Sequence, residues 1–159
     1  NMLIENCEYD FIVNKNKLIE PEQWYGVEIN SEIHEQNIKI KKGNWINEDI
    51  EVAISNSLIF NPEIINLDYT TKYDKTLNQL SRIMSMCNNV SNVMIVYNTI
   101  VKVRSMFLTP DDLFEGIFSN SNFKKTYLKD NWKVYDDCIA YKGTGHTNCV
   151  MASLIFYKK

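Results

Sequence analysis

The stretch Leu77-Asn78-Gln79-Leu80-Ser81-Arg82-Ile83-Met84-Ser85-Met86-Cys87 decides how the rest of the chain is read. Taken with a period of two, it places Leu80, Arg82, Met84 and Met86 on one face and Gln79, Ser81, Ile83 and Ser85 on the other. That alternation predicts a half-buried strand with Arg82 on its apolar side. A guanidinium withdrawn from water costs several kcal/mol unless it is paired and hydrogen-bonded. Arg82 therefore needs a carboxylate, from the protein as an internal ion pair or from an anionic ligand that its planar fork grips bidentately.

Working outward, Asn88-Asn89 follows as a turn and Val93 to Val103 as a β-rich run, together a hairpin signal. Thr109-Pro110-Asp111-Asp112 opens a helix: a hydroxyl cap, a proline in the first turn, then acids against the dipole. Leu113, Phe114, Ile117 and Phe118 give that helix an apolar stripe. A further helical stretch covers Asn122 to Leu128. Two strands close the pattern, Trp132 to Tyr141 and Cys149 to Tyr157, joined by a loop containing Gly143 and Gly145.

Upstream, Phe11 to Val13 and Ile38 to Ile40 are read as short strands, and Glu20 to Glu35 as a helix opening at Pro21. Ile50 to Ile54 alternates like a strand, and Asn61-Pro62 marks a turn. Hairpins imply antiparallel pairing. The expected fold is α+β, an antiparallel sheet with helices on one face or end, in a single domain over residues 1–159. Asn1 before Met2 reads as a cloning remnant.

The composition is that of a globular protein, with 45% hydrophobic and 23% charged residues among 159. A net charge of -3 gives no electrostatic case for nucleic acid. No run approaches the ~20 apolar residues that span a bilayer, and the first ten residues lack the regions of a signal peptide. Cys7, Cys87, Cys138 and Cys149 form no CxxC pair, which suits free thiols in a reducing cytoplasm; a Cys138–Cys149 bridge across the last hairpin is the rival.

Other motifs fall short of a site. Cys138, His146 and Cys149 supply only three local metal ligands, one fewer than a closed zinc site takes. Cys138 or Cys149 with His146 could pair as nucleophile and base, but a solvated loop histidine beside thiols accounts for them. The Gly143-Thr144-Gly145-His146-Thr147 loop opens no helix and fails as a phosphate loop. Asp136 and Asp137 point to opposite strand faces and make no dyad. Asp137 shares its face with Tyr135, Ile139 and Tyr141, where it could meet a cation.

The second half of the chain resembles the chorismate lyase family and its relatives, the UTRA effector-binding domains of GntR-type regulators. The residues that carry the resemblance are Leu80-Ser81-Arg82-Ile83-Met84-Ser85-Met86, then Asp112-Leu113-Phe114-Glu115-Gly116-Ile117-Phe118, then Ala152-Ser153-Leu154-Ile155-Phe156, within roughly residues 50–158. The resemblance implies a six-stranded antiparallel sheet enclosing a small aromatic carboxylate. It also implies elimination of pyruvate from chorismate to give a hydroxybenzoate, with neither metal nor organic cofactor. It places the substrate-polarising arginine on Arg82, a carboxylate-holding amide near Leu113, and a final-strand acid at the position filled here by Ser153. Asp137 or Asp136 is the candidate to replace that acid. Developing negative charge in such an elimination is what a preorganised guanidinium stabilises.

Two alternatives accompany this expectation. Ser153 in place of an acid favours a non-catalytic, UTRA-like ligand-binding domain. Small size and acidic balance favour a protein-binding module, such as a toxin immunity protein.

Overall fold

In the computed structural model, which describes residues 9–59, 61–103, 106–107, 110–135, 139–142 and 150–159, the deciding stretch is helical. All of it except Cys87 lies within a helix running Tyr73–Met86. Thr76, Leu77, Leu80, Ser81, Ile83 and Met84 are its buried positions, spaced as one face of a 3.6-residue repeat. Periods of 2 and 3.6 share the step from i to i+4, so Leu80 and Met84 satisfy both readings. Arg82 separates them. On a helix it is turned about 200° from Leu80, two steps of about 100° each, and it is exposed. The expectation of an inward-facing arginine on a strand is thus corrected.

The chain gathers into two compact units, Asn1–Phe60 and Asn61–Lys159. In the second unit, β3 (Ile64–Lys72) leads directly into the Tyr73–Met86 helix, α3, and that into β4 (Val93–Val103). β3 and β4 pair in parallel. A parallel pair cannot be closed by a hairpin and requires a crossover, which α3 provides. β4 then folds back on the short β5 (Met106–Phe107). Two helices follow, α4 (Pro110–Ser119) and α5 (Ser121–Lys129). β6 (Lys133–Val134), β7 (Ile139–Lys142) and β8 (Val150–Lys158) complete the unit.

The strand order is β3-β4-β8-β6, with β5 on β4 and β7 on β8. β8 runs antiparallel to β4, β6 and β7. The architecture is therefore α/β with a mixed sheet built on a β-α-β crossover, and the antiparallel α+β expectation is corrected. Val93 to Val103 is a strand as read, and the strand read over Cys149 to Tyr157 is found as Val150–Lys158. Of the expected Trp132 to Tyr141 strand, the described residues include β6 and most of β7. The helix at Pro110 and the stretch around Asn122 to Leu128 are helices as read.

Alternation sets the two faces of this sheet. Ile65, Leu67, Val93, Ile95, Tyr97, Ala152, Leu154 and Phe156 are buried on one. Phe123 and Tyr127 of α5 pack on Phe156 with ring centroids 5.5 and 6.5 Å away. Thr76 of α3 meets Tyr97. The helices thus cover this face. The other face carries Asn66, Asp68, Met94, Val96, Asn98, Met151, Ser153 and Ile155, most of them half-buried or exposed.

In the first unit, β1 (Tyr25–Val27) and β2 (Asn44–Ile46) pair in parallel around α1 (Ser31–Ile40). Asn30 caps α1 by accepting from the Glu32 and Ile33 amides at 3.0 and 3.2 Å. Ile38 to Ile40 is thus the end of a helix, and the Glu20–Glu35 helix is instead a 3-10 turn at Pro21–Gln23, then β1, then the start of α1. Ile50–Ser55 is a second helix, α2, with Asp49 accepting from the Glu51 amide at 2.8 Å. Phe11 to Val13 lies in a π-helical turn over Asp10–Lys15. Tyr9 packs on Trp24 and Trp45 at 5.5 and 6.0 Å between ring centroids.

Candidate functional site

The residues that gather polar chemistry in the second unit are Asp68, Asn98 and Ser153. They come from three adjacent strands and share one register row: Asp68 opposes Asn98 across the parallel pair, and Asn98 opposes Ser153 across β4 and β8. All three lie on the face away from the helices. Immediately after Asp68 the register of β3 shifts before Lys72 meets Ile100, so the ladder is broken at the carboxyl end of β3.

Asn98 is the hinge of this row and is 7% exposed. Its Oδ1 accepts from Ser153 Oγ, and its Nδ2 donates to Asn66 Oδ1 at 2.8 Å. A buried carboxamide held at both ends has one orientation. The relay runs from Ser153 through Asn98 to Asn66, which precedes Asp68 by two residues on the same face of β3. Desolvation by its surroundings raises the Asp68 carboxyl above its ordinary pKa. Donors and a carboxyl group in one row can recognise a hydroxyl, amine or carboxamide.

The reverse face fixes this end of the sheet. Thr99 Oγ1 donates to the Thr71 carbonyl at 3.0 Å, tying β4 to the end of β3. The Tyr97 hydroxyl lies 2.5 Å from Thr76 Oγ1 and donates to the Tyr73 carbonyl at 3.4 Å. Gly116 of α4 leaves room for the Tyr73 hydroxyl, which a Cβ there would strike. The strand-to-helix junction at Lys72–Tyr73 is thereby pinned from β4 and fitted to α4, as a site built on rigid elements requires.

The residues expected from the sequence are not assembled in one place. Arg82 is exposed on α3, on the helix-covered side of the sheet. Leu113 is a core residue of α4 at 1% exposure. Ser153 lies on the opposite face of the sheet, in the polar row. Asp137 lies outside the described residues, as do Cys138, His146 and Cys149. Asn66, Asp68 and Asn98 were not singled out, yet the alternation of Ile65, Leu67 and Tyr69 with Asn66 and Asp68 was present to be read. Among the described residues no group of three His, Cys, Asp or Glu side chains is placed to hold a metal ion. Among them, too, no helix is long and apolar enough to cross a membrane.

The resemblance to chorismate lyases and UTRA domains is overturned by these features: a parallel β3–β4 pair where an antiparallel hairpin was required, and the supposed substrate-binding strand folded as a helix with its arginine outside. The lyase activity and the aromatic carboxylate ligand rested on that resemblance and are withdrawn with it. No protein-family model matches the chain, and no curated protein sequence matches it significantly. Among solved structures it is similar to the precorrin-6y C5,15-methyltransferase of Geobacter metallireducens GS-15. The identity is 12% and the TM-score 0.47, over 85% of this chain. The chain spans 66% of the length of that structure.

Proposed function

We propose that the Asn61–Lys159 unit binds a small, polar, uncharged group, a hydroxyl or amide of a metabolite-sized ligand, at the Asp68–Asn98–Ser153 row. The observation that carries this reading is the row itself. Three adjacent strands place polar side chains in one register on one face, and the central one is buried and fixed at both ends. A sheet does not need such a relay for stability, since apolar residues at those positions serve equally well. The row lies midway along β3 and β4, at the last regular pair before their parallel register shifts. A carboxyl with a raised pKa beside it is the kind of group that marks functional positions. The neutral relay and partly desolvated acid favour hydrogen-bonding over ionic recognition.

The test is a thermal-shift and calorimetric screen of the intact chain with adenosine, S-adenosylmethionine, ribose, glycerol and simple amides. At least one hydroxyl- or amide-bearing compound is expected to stabilise the protein, and Asp68→Asn and Ser153→Ala are each expected to weaken that binding. Absence of binding across the panel, or binding indifferent to both substitutions, sinks the assignment. The cytoplasmic placement drawn from the cysteines stands as a proposal beside it, supported by the buried free thiol of Cys87.

A further inference from the structure

The first unit contains a second, unrelated feature. A cleft of about 560 Å³ is lined by Tyr25, Ile38, Lys41, Trp45, Ile46 and Leu58 among others. Lys41 is only 8% exposed, yet its ammonium has no hydrogen-bond partner among the described residues. It sits over the face of Trp45, with Nζ 5.8 Å from the ring centroid. The Trp45 indole N–H is likewise buried without an acceptor.

Two shielded donors lining one cleft, one of them on a cationic side chain, call for an explanation. Lys41 is the C-cap of α1, its own amide bonded to the Asn37 carbonyl at 2.9 Å. A cation at a helix C-terminus is electrostatically favoured, but that contact satisfies none of the ammonium hydrogens. A burial that leaves a charge unmatched costs more than a methionine of similar length at the same place. The arrangement makes sense when an outside oxyanion supplies the missing acceptors.

We infer that this cleft binds a small organic phosphate, with the phosphoryl oxygens on Lys41 Nζ and the Trp45 indole N–H and the organic body against the apolar walls. Lysine rather than arginine points to phosphate over carboxylate. A carboxylate is matched by the bidentate fork of arginine, whereas an ammonium acts as a point charge on a phosphate. Tyr25, Ile38, Ile46 and Leu58 give the body an apolar lining, and Trp45 offers it a ring edge or face. Both donors are covered, so binding turns the four-carbon stem of Lys41 and the indole edge of Trp45 toward the ligand. Gly26 fixes the platform: a Cβ there would strike the Trp45 ring.

The experiment is a titration of the 159-residue chain with phenyl phosphate, followed by 31P NMR and calorimetry. Inorganic phosphate, phenol and benzoate are run in parallel. Phenyl phosphate is expected to bind with submillimolar affinity, inorganic phosphate more weakly and phenol not at all. Lys41→Met is expected to weaken phenyl phosphate by about tenfold or more, about 1.4 kcal/mol, while raising the melting temperature of the free protein. Trp45→Phe, which keeps the ring and removes the N–H, is expected to weaken it severalfold. Lys41→Arg is expected to retain binding, so the charge is tested even if the methionine variant does not fold. Absence of a 31P shift with the wild type overturns the inference, as does unchanged affinity in Lys41→Met or Trp45→Phe. Benzoate binding as tightly as phenyl phosphate overturns the choice of phosphate.

Discussion

The hydroxyl of Tyr97, in the middle of β4, lies 2.5 Å from Thr76 Oγ1 in the first turn of α3. Both side chains are buried. Burial raises the Tyr97 hydroxyl pKa, and the hydrogen bond from Thr76 opposes the shift without cancelling it. Tyr97→Phe is expected to cost about 1 kcal/mol, since Thr76 keeps the Tyr73 carbonyl as a partner. Thr76→Val, which leaves the phenol without that partner, is expected to cost more. Urea denaturation of both variants and of the double variant measures the coupling. A coupling energy of zero would show that the contact carries no stability.

Asp68, exposed on its sheet face yet partly desolvated, should make the protein more stable in acid than a fully solvated aspartate would. Unfolded, its carboxyl ionises near 3.8; folded, it keeps its proton to higher pH. Between those values the native state binds more protons, so stability falls as pH rises through the window. The contribution is complete below 3.8 and lost once the folded carboxyl ionises. Asp68→Asn is therefore expected to raise the melting temperature at pH 7 and leave it unchanged near pH 3. The same substitution should weaken the ligand proposed for the polar row, a trade of function against stability. An equal melting shift at both pH values would contradict the desolvation argument.

Cys87 should be inert in the native state. Its thiol is 1% exposed, and burial pushes its pKa from 9.0 to about 11, with Lys158 only partly offsetting the shift. Alkylation by iodoacetamide at pH 8, followed by peptide mass spectrometry, is expected to spare Cys87 until the chain is unfolded. The native state holds this proton longer than the unfolded chain, so stability declines as pH rises from about 9.0 toward 11. Rapid native-state labelling of Cys87 would refute its burial.

Two residues expected in one site should behave oppositely on truncation. Leu113→Ala removes a fully buried side chain from α4 and is expected to cost about 2–5 kcal/mol. Arg82→Ala, exposed on α3, is expected to change stability by no more than about 0.5 kcal/mol. Chemical denaturation of the two variants settles the matter. A large loss with Arg82→Ala would mean that its surface contacts matter more than its exposure implies.

How much was legible follows from which patterns were ambiguous. Val93 to Val103 is rich in β-branched residues and has no helical reading, so it was identified as the strand it is. Pro110-Asp111-Asp112 is a chemical start signal, and the helix begins there. Leu77 to Cys87 failed because Leu80 and Met84 fit both periods, and length was the better arbiter: strands seldom run to the 14 residues this helix spans. Ile50 to Ile54 failed for the same reason, since Asp49 before it was a cap that went unread. Once a helix is mistaken for a strand, β4 loses its crossover and is paired as a hairpin with the wrong neighbour. The polar row was less accessible still. Ser153 stands out in the sequence only as a residue that is not an acid, whereas its partner Asn98, with Asn66 beyond it, is far away in sequence and meets it only through strand order.

That order has a consequence for synthesis. β8 comes after every other strand of the Asn61–Lys159 unit, yet it lies inside the sheet between β4 and β6. Its far end is fastened to the turn beyond α3, where Lys158 Nζ donates to the Asn88 carbonyl and to Asn88 Oδ1 at 2.5 and 2.9 Å. A nascent chain stopped short of Val150 has the β3–α3–β4 crossover but an unpaired β4 edge, and β6 and β7 have nothing to join. Such an edge invites pairing with other chains. The ribosome must therefore deliver β8 before this sheet can become whole, and the interval until it does is when the protein is most exposed to aggregation.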